Sequence, residues 1–171
     1  MRTIIALAML ALTPFAAQAS NFSYSYVEGG YADFDDTDGL WVGGGYEFMP
    51  NFHVVGDLYS LDEADIMEVG VGYHTAISDK ADVYGNLKLV NFEVGPFDDD
   101  GLGLEGGVRF ALAPRFELGG GIRYYSFDEF DSESNLFVRG AFDVASNLAI
   151  SLEVETGDIM DKMLLGARLS F

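Results

Sequence analysis

His53 and His74 are the chain's two histidines, and imidazole is the side chain best suited to moving protons or binding a metal near neutral pH. Hairpin register through residues 61–64 places them near one another at the turn end of their strands. As a metal pair they lack an evident third ligand, which a zinc site requires. Gly101-Leu102-Gly103-Leu104-Glu105-Gly106 matches the dinucleotide-binding fingerprint letter for letter. That motif works only where it opens a helix whose amides meet a pyrophosphate, and here a strand pattern follows through Arg109 and Phe110. Asp33, Asp35, Asp36, Asp38 and the run Asp98-Asp99-Asp100 offer oxygen ligands for calcium or magnesium, without the spacing or closing Glu of a helix-loop-helix site. They read as solvated acidic loops. No cofactor is expected.

The elements that carry these residues have one period. After residue 21 every segment alternates apolar and polar side chains, the pattern of strands whose faces meet different surroundings. Ten such segments run near 22–33, 39–49, 52–60, 65–75, 81–92, 102–112, 116–126, 135–145, 148–156 and 162–171. Their connections alternate in kind. Met49-Pro50-Asn51, Ser78-Asp79-Lys80, Ala113-Pro114-Arg115 and Ser146-Asn147 suit tight turns. The stretches 33–38, 61–65, 93–101, 127–134 and 157–161 are expected to be acidic loops at the opposite end. Both termini then lie on the turn side, as in an up-and-down meander with an even strand number.

Ahead of these strands, Arg2, the apolar stretch Ile4 to Leu12 and Ala17-Gln18-Ala19 before Ser20 read as a secretory signal peptide cleaved between Ala19 and Ser20. Pro14 and its shortness argue against a membrane helix. The expected organisation is therefore a signal peptide over 1–19 and one β-barrel over 20–171. Residues 1–19 hold one cation, Arg2, and no anion, so the whole-chain charge of −19 becomes −20 without them. Such an acidic surface excludes nucleic acid as a partner. With no cysteine, thiol redox chemistry and disulfides are excluded as well.

One face of the strands, through residues such as Leu40, Val42, Leu58, Val69, Leu89, Leu104, Ile122, Val138 and Leu152, carries no charge. A soluble sandwich would turn that face inward. Export, aromatic residues near the strand ends and the terminal strand favour the inverted arrangement, a closed barrel with lipid outside. The fold expected is all-β: a single antiparallel transmembrane barrel of ten strands, or eight if two short strands fail to pair. The first strand is the weak point of this phasing. With Glu28 inward, Phe22, Tyr24 and Tyr26 also point inward, which calls for a bulge or a start outside the membrane.

The lumen then receives ten acids from Glu28 to Glu155, Asp143 among them, and five bases. Glu28, Asp57, Glu68, Lys88, Glu105, Arg109, Arg123, Arg139 and Arg168 are expected to form a paired network filling it, since buried charges need partners. If the lumen conducts, its acid excess favours cations. An enzyme working on the outer membrane needs its base at the outer rim, and neither histidine reaches that end, so no enzymatic activity is expected.

Tyr26-Val27-Glu28-Gly29-Gly30-Tyr31, Met49-Pro50-Asn51-Phe52-His53, Val69-Gly70-Val71-Gly72-Tyr73 and Ala111-Leu112-Ala113-Pro114 resemble, in order and spacing, a family of small outer-membrane barrels of xanthomonad-type bacteria, once named as activators of plant immunity. The likeness covers most of the chain. It implies an outer-membrane location, shedding in vesicles, and surface roles such as biofilm or adhesion, and it supplies no catalytic residues. The immunity role does not carry over, because the chain has no convincing sulfation-type peptide motif.

Partners expected from this reading are outer-membrane lipid and lipopolysaccharide, with divalent cations shared between the acidic loops and lipid phosphates. The barrel-assembly machinery would act during insertion. Its signal is expected in the last strand, where Met163, Leu165, Ala167, Leu169 and Phe171 alternate to a final aromatic, Leu169 and Phe171 being the residues read.

Overall fold

The computed structural model describes residues 22–35, 37–127, 132–157 and 161–171. The expected signal peptide and its cleavage site at Ala19 and Ser20 lie outside them. The described residues form ten strands: β1 (Tyr26–Phe34), β2 (Thr37–Met49), β3 (Phe52–Leu61), β4 (Asp65–Ser78), β5 (Ala81–Val94), β6 (Phe97–Ala113), β7 (Phe116–Phe127), β8 (Glu133–Asp143), β9 (Leu148–Thr156) and β10 (Lys162–Ser170). Each pairs antiparallel with its neighbours in sequence, and β1 pairs with β10 from Tyr26 opposite Ser170 to Phe34 opposite Lys162. The sheet therefore closes and leaves no edge. Closure is what hydrocarbon demands, because lipid cannot satisfy an unpaired strand edge. Ten strands, not eight, make the barrel.

The faces are inverted relative to a soluble protein. Leu40 is 69% exposed and Leu89 62%, while Asp82 is fully buried at 0%. Apolar side chains face outward over all ten strands, and the charged residues between the two rims mostly point into the lumen.

Two features differ from expectation, and a third settles an open alternative. The loop end carries no long loops among the described connections. Residues 93–101, expected as an acidic loop, continue the ladder instead: Val94 opposes Phe97 across Gly95-Pro96, with Gly95 at a φ of 59°. Asp98 and Asp100 project outward there, where the Asn91 amide donates to both, at 2.7 and 3.2 Å, and Asp99 turns inward and is buried. Once a strand rises above the hydrocarbon its outer face has no reason to be apolar, so the ladder outlasts the pattern. Residues 33–38 behave alike, with Asp33 opposite Asp38 and the turn made at Asp35, whose φ is 46°. Residues 128–131 and 158–160, within two other expected loops, lie outside the described residues.

Asp143, counted among the lumen acids, is exposed where β8 leaves the barrel. The first strand, finally, needs no bulge: β1 keeps an unbroken register with both neighbours. Tyr26 opens it facing the lumen, and Phe22 to Ser25 precede it at the barrel mouth. The irregularities of register sit beside the tight turns, between Glu47 and Met49, Ala76 and Ser78, and Ala111 and Ala113.

Candidate functional site: the lumen

Strand register sets most of the lumen's chemistry. Glu28 lies opposite Arg168, Glu105 opposite Arg123, Arg139 opposite Glu153, and Glu155 opposite Lys162. Each neighbouring couple is of opposite sign, the arrangement that stabilises cross-strand pairs. Asp57 and Glu68 are the exception, two acids directly opposed on β3 and β4. Lys88 of β5 relieves them by placing its Nζ 3.2 Å from Asp57 and 2.7 Å from Glu68.

Longer contacts join these couples across the barrel. Arg123 donates to Glu105 at 2.8 Å and to Glu153 at 2.6 Å, and also pairs with Glu155, while its guanidinium lies 4.1 Å from the centre of the Phe137 ring. Glu28 takes Arg139 and Arg168 together. Arg109 grips Glu117 with two parallel bonds of 2.7 and 2.9 Å, the geometry that makes arginine the strongest carboxylate partner. Glu28, Asp57, Glu68, Lys88, Glu105, Arg109, Arg123, Arg139 and Arg168, the nine residues of the expected network, sit on this inner face, and the space left among them is a cavity of about 70 Å³.

Two parts of the lumen were not foreseen. Lys162, the first residue of β10, is buried, 2.7 Å from Glu155 and about 5.5 Å from the Tyr59 ring. Carrying the phase of Arg168 and Gly166 back to the start of that strand points to it. Above the charged layer, at the loop end, Phe34, Trp41, Tyr59, Ile66, Tyr125 and Leu164 turn inward and pack with Ala32 and Val90 into an apolar plug. Phe34 meets Tyr59 edge-on at 5.4 Å. The Tyr125 hydroxyl ties plug to network by donating to Glu68 at 3.2 Å.

At the opposite mouth the two histidines meet. Their Nδ1 atoms are 3.1 Å apart; His53 Nε2 reaches Asn86 Oδ1 at 3.0 Å, and His74 Nε2 lies 3.2 Å from Glu47. Gly72 makes this possible, because a Cβ there would overlap the His53 ring and the Asn86 amide. Among the described residues no three His, Asp or Glu side chains converge as metal ligands. The mouth beside the histidines opens into a second cavity of about 250 Å³ lined by Arg109, Glu117 and Arg168.

A closed barrel with an apolar outer face is the arrangement of outer-membrane barrels. Residues 3–160 match the model of the outer membrane protein β-barrel domain. The chain belongs to that family. This β-barrel domain places it in the outer membrane, with the termini on the periplasmic side by the usual arrangement of such barrels. Solved structures share the fold at low identity. The NanC porin superposes with a TM-score of 0.61 at 8% identity, covering 86% of this chain and 100% of that one. The KdgM porin gives 0.56 at 12% identity, covering 85% and 99%. No relative is found among curated proteins.

Proposed function

We propose that this outer-membrane β-barrel is a non-enzymatic and non-conducting envelope protein, which contributes surface structure, adhesion or lipid contact through its outer face and its short acidic rim. The observation that carries this reading is the double closure of the lumen. A path along the axis meets first the ion-paired layer around Arg123 and then the apolar plug around Trp41 and Tyr59. The cavity that remains between the charged side chains is small, about 70 Å³. Moving an ion through it would separate buried pairs, at several kcal/mol for each uncompensated charge.

The absence of catalysis rests on placement. His53 and His74 sit at the periplasmic mouth, each already engaged, and the outer rim is built of carboxylates. The surface roles agree with the resemblance to the xanthomonad-type family.

A second reading, a narrow cation-preferring pore, draws on the fold shared with the KdgM and NanC porins and on the cavity at the periplasmic end of the lumen. Liposome swelling separates the two. Vesicles containing the refolded barrel should swell in isotonic arabinose no faster than empty vesicles, and porin-like swelling would favour the pore.

A further inference from the structure

The segment before β1 is folded into the periplasmic mouth and is pinned there by the histidine pair. Tyr24 stacks on His74 with ring centres 3.6 Å apart and nearly parallel, and lies 4.9 Å from the His53 ring. The Ser23 carbonyl accepts from Arg109 Nη1 at 3.0 Å, and Ser25 Oγ accepts the Glu47 amide at 3.1 Å. Residues 22–25 thus form a strap across the opening.

Proton count decides whether the pair beneath the strap can exist. Glu105 is ionised by its bond to Arg123, so it accepts from Asn86 Nδ2 and fixes the Asn86 oxygen toward His53. His53 Nε2 must then donate. Three contacts run in series, Glu47 to His74, His74 to His53 and His53 to Asn86, and each needs one proton. Two neutral imidazoles supply two N–H groups. The chain is complete with a third, held between His74 Nε2 and the Glu47 carboxylate. Within the three contacts a fourth proton has one place left, the Nδ1 contact, where two N–H groups would then face each other at 3.1 Å; outside them it can sit on the second oxygen of the partly exposed Glu47 carboxylate, which leaves the imidazole pair intact. Two donors with no acceptor repel.

We propose that the strap is an acid-released closure of the periplasmic mouth: a fourth proton taken at the Nδ1 contact of the Glu47–His74–His53–Asn86 chain separates the imidazoles, unseats Tyr24 and exposes the cavity beneath residues 22–25. The groups facing the pair are Tyr24 from the strap, Glu47 from β2, Asp82 and Tyr84 with Asn86 from β5, and Glu105 and Arg109 from β6. Arg109 is bound to Glu117 and adds positive charge beside the pair, so a second imidazolium is opposed from that side too.

The chain has no cysteine, so Ser23→Cys gives a unique thiol on the strap. Its alkylation rate in the barrel refolded into vesicles, divided at each pH by that of an unstructured cysteine peptide, reads strap opening directly. One coupled proton changes an opening equilibrium by up to about tenfold per pH unit. The relative rate should rise at least about tenfold from pH 7.5 to 4.5, and adding His53→Gln and His74→Gln should abolish the step whatever the basal rate. Equal protection at both pH values overturns the proposal. So does a step that persists without the histidines.

Discussion

Arg123 of β7 reaches past β8 to hold Glu153 of β9 at 2.6 Å, while the same guanidinium keeps Glu105 of β6 at 2.8 Å. One side chain thereby ties together acids from strands on both sides of its own. Its charge is the hub of the filled lumen, and Glu155 joins the same group.

Arg123→Met should therefore be costly. It leaves three buried carboxylates short of a partner, and removing one member of a buried ion pair typically costs about 3–5 kcal/mol. Urea unfolding in lipid vesicles measures this. A loss under about 1 kcal/mol, as for an exposed pair, would mean that water already screens the centre of the barrel.

Gly72, facing the lumen, and Gly106, facing outward between Leu104 and Val108, contrast a crowded position with an open one. A Cβ at Gly72 would strike the His53 ring and the Asn86 amide, whereas one at Gly106 meets nothing within 4 Å. Gly72→Ala should destabilise by about 1–3 kcal/mol, the cost of forcing an overpacked site apart. Gly106→Ala should be neutral or slightly stabilising, because it restricts the unfolded chain. Equal effects in the two variants would contradict the packing described at the periplasmic mouth.

Val138 stands on the outer face of β8, 59% exposed, with Gly120 and Val154 beside it. A cation there meets hydrocarbon. Val138→Arg should cost about 2–4 kcal/mol in vesicles, the range for a charge near the midplane of a barrel's lipid face. A silent result would mean that Val138 meets water rather than hydrocarbon, and would count against a lipid-facing outer surface.

Phe171 is 72% exposed, and the contact of its backbone is a single bond from its amide to the Ser25 carbonyl at 3.1 Å. Deleting it should change the urea midpoint little. Leu169 and Phe171 are proposed as the signal for barrel assembly, so the deletion should lower the amount inserted in cells. Normal surface levels of the truncated protein would refute that role.

Much of this architecture was legible in the sequence, and the parts that were not share a cause. Alternation identifies a strand wherever its two faces differ, so ten strands and most of the lumen charges could be phased; Asp143, at the end of β8, was placed inward and is exposed, and Lys162 was missed. At the loop end the contrast disappears. Phe34, Trp41, Tyr59 and Leu61 point inward and are as apolar as Leu40 and Leu58 pointing out, so period two falls silent where the plug is built. Above the lipid the reverse holds: Glu93, Asp98 and Asp100 face outward and polar, and the strands there resemble loops. The histidine contact was legible as proximity through hairpin register. Its proton count was not, since that depends on Asn86 and Glu47 from two further strands.

Planar-bilayer recording of the refolded barrel at neutral pH reads directly whether the lumen is filled. A baseline without unitary steps is expected, because the ion-paired layer and the apolar plug both block the axis. Steady, cation-selective conductance from the folded protein would contradict it.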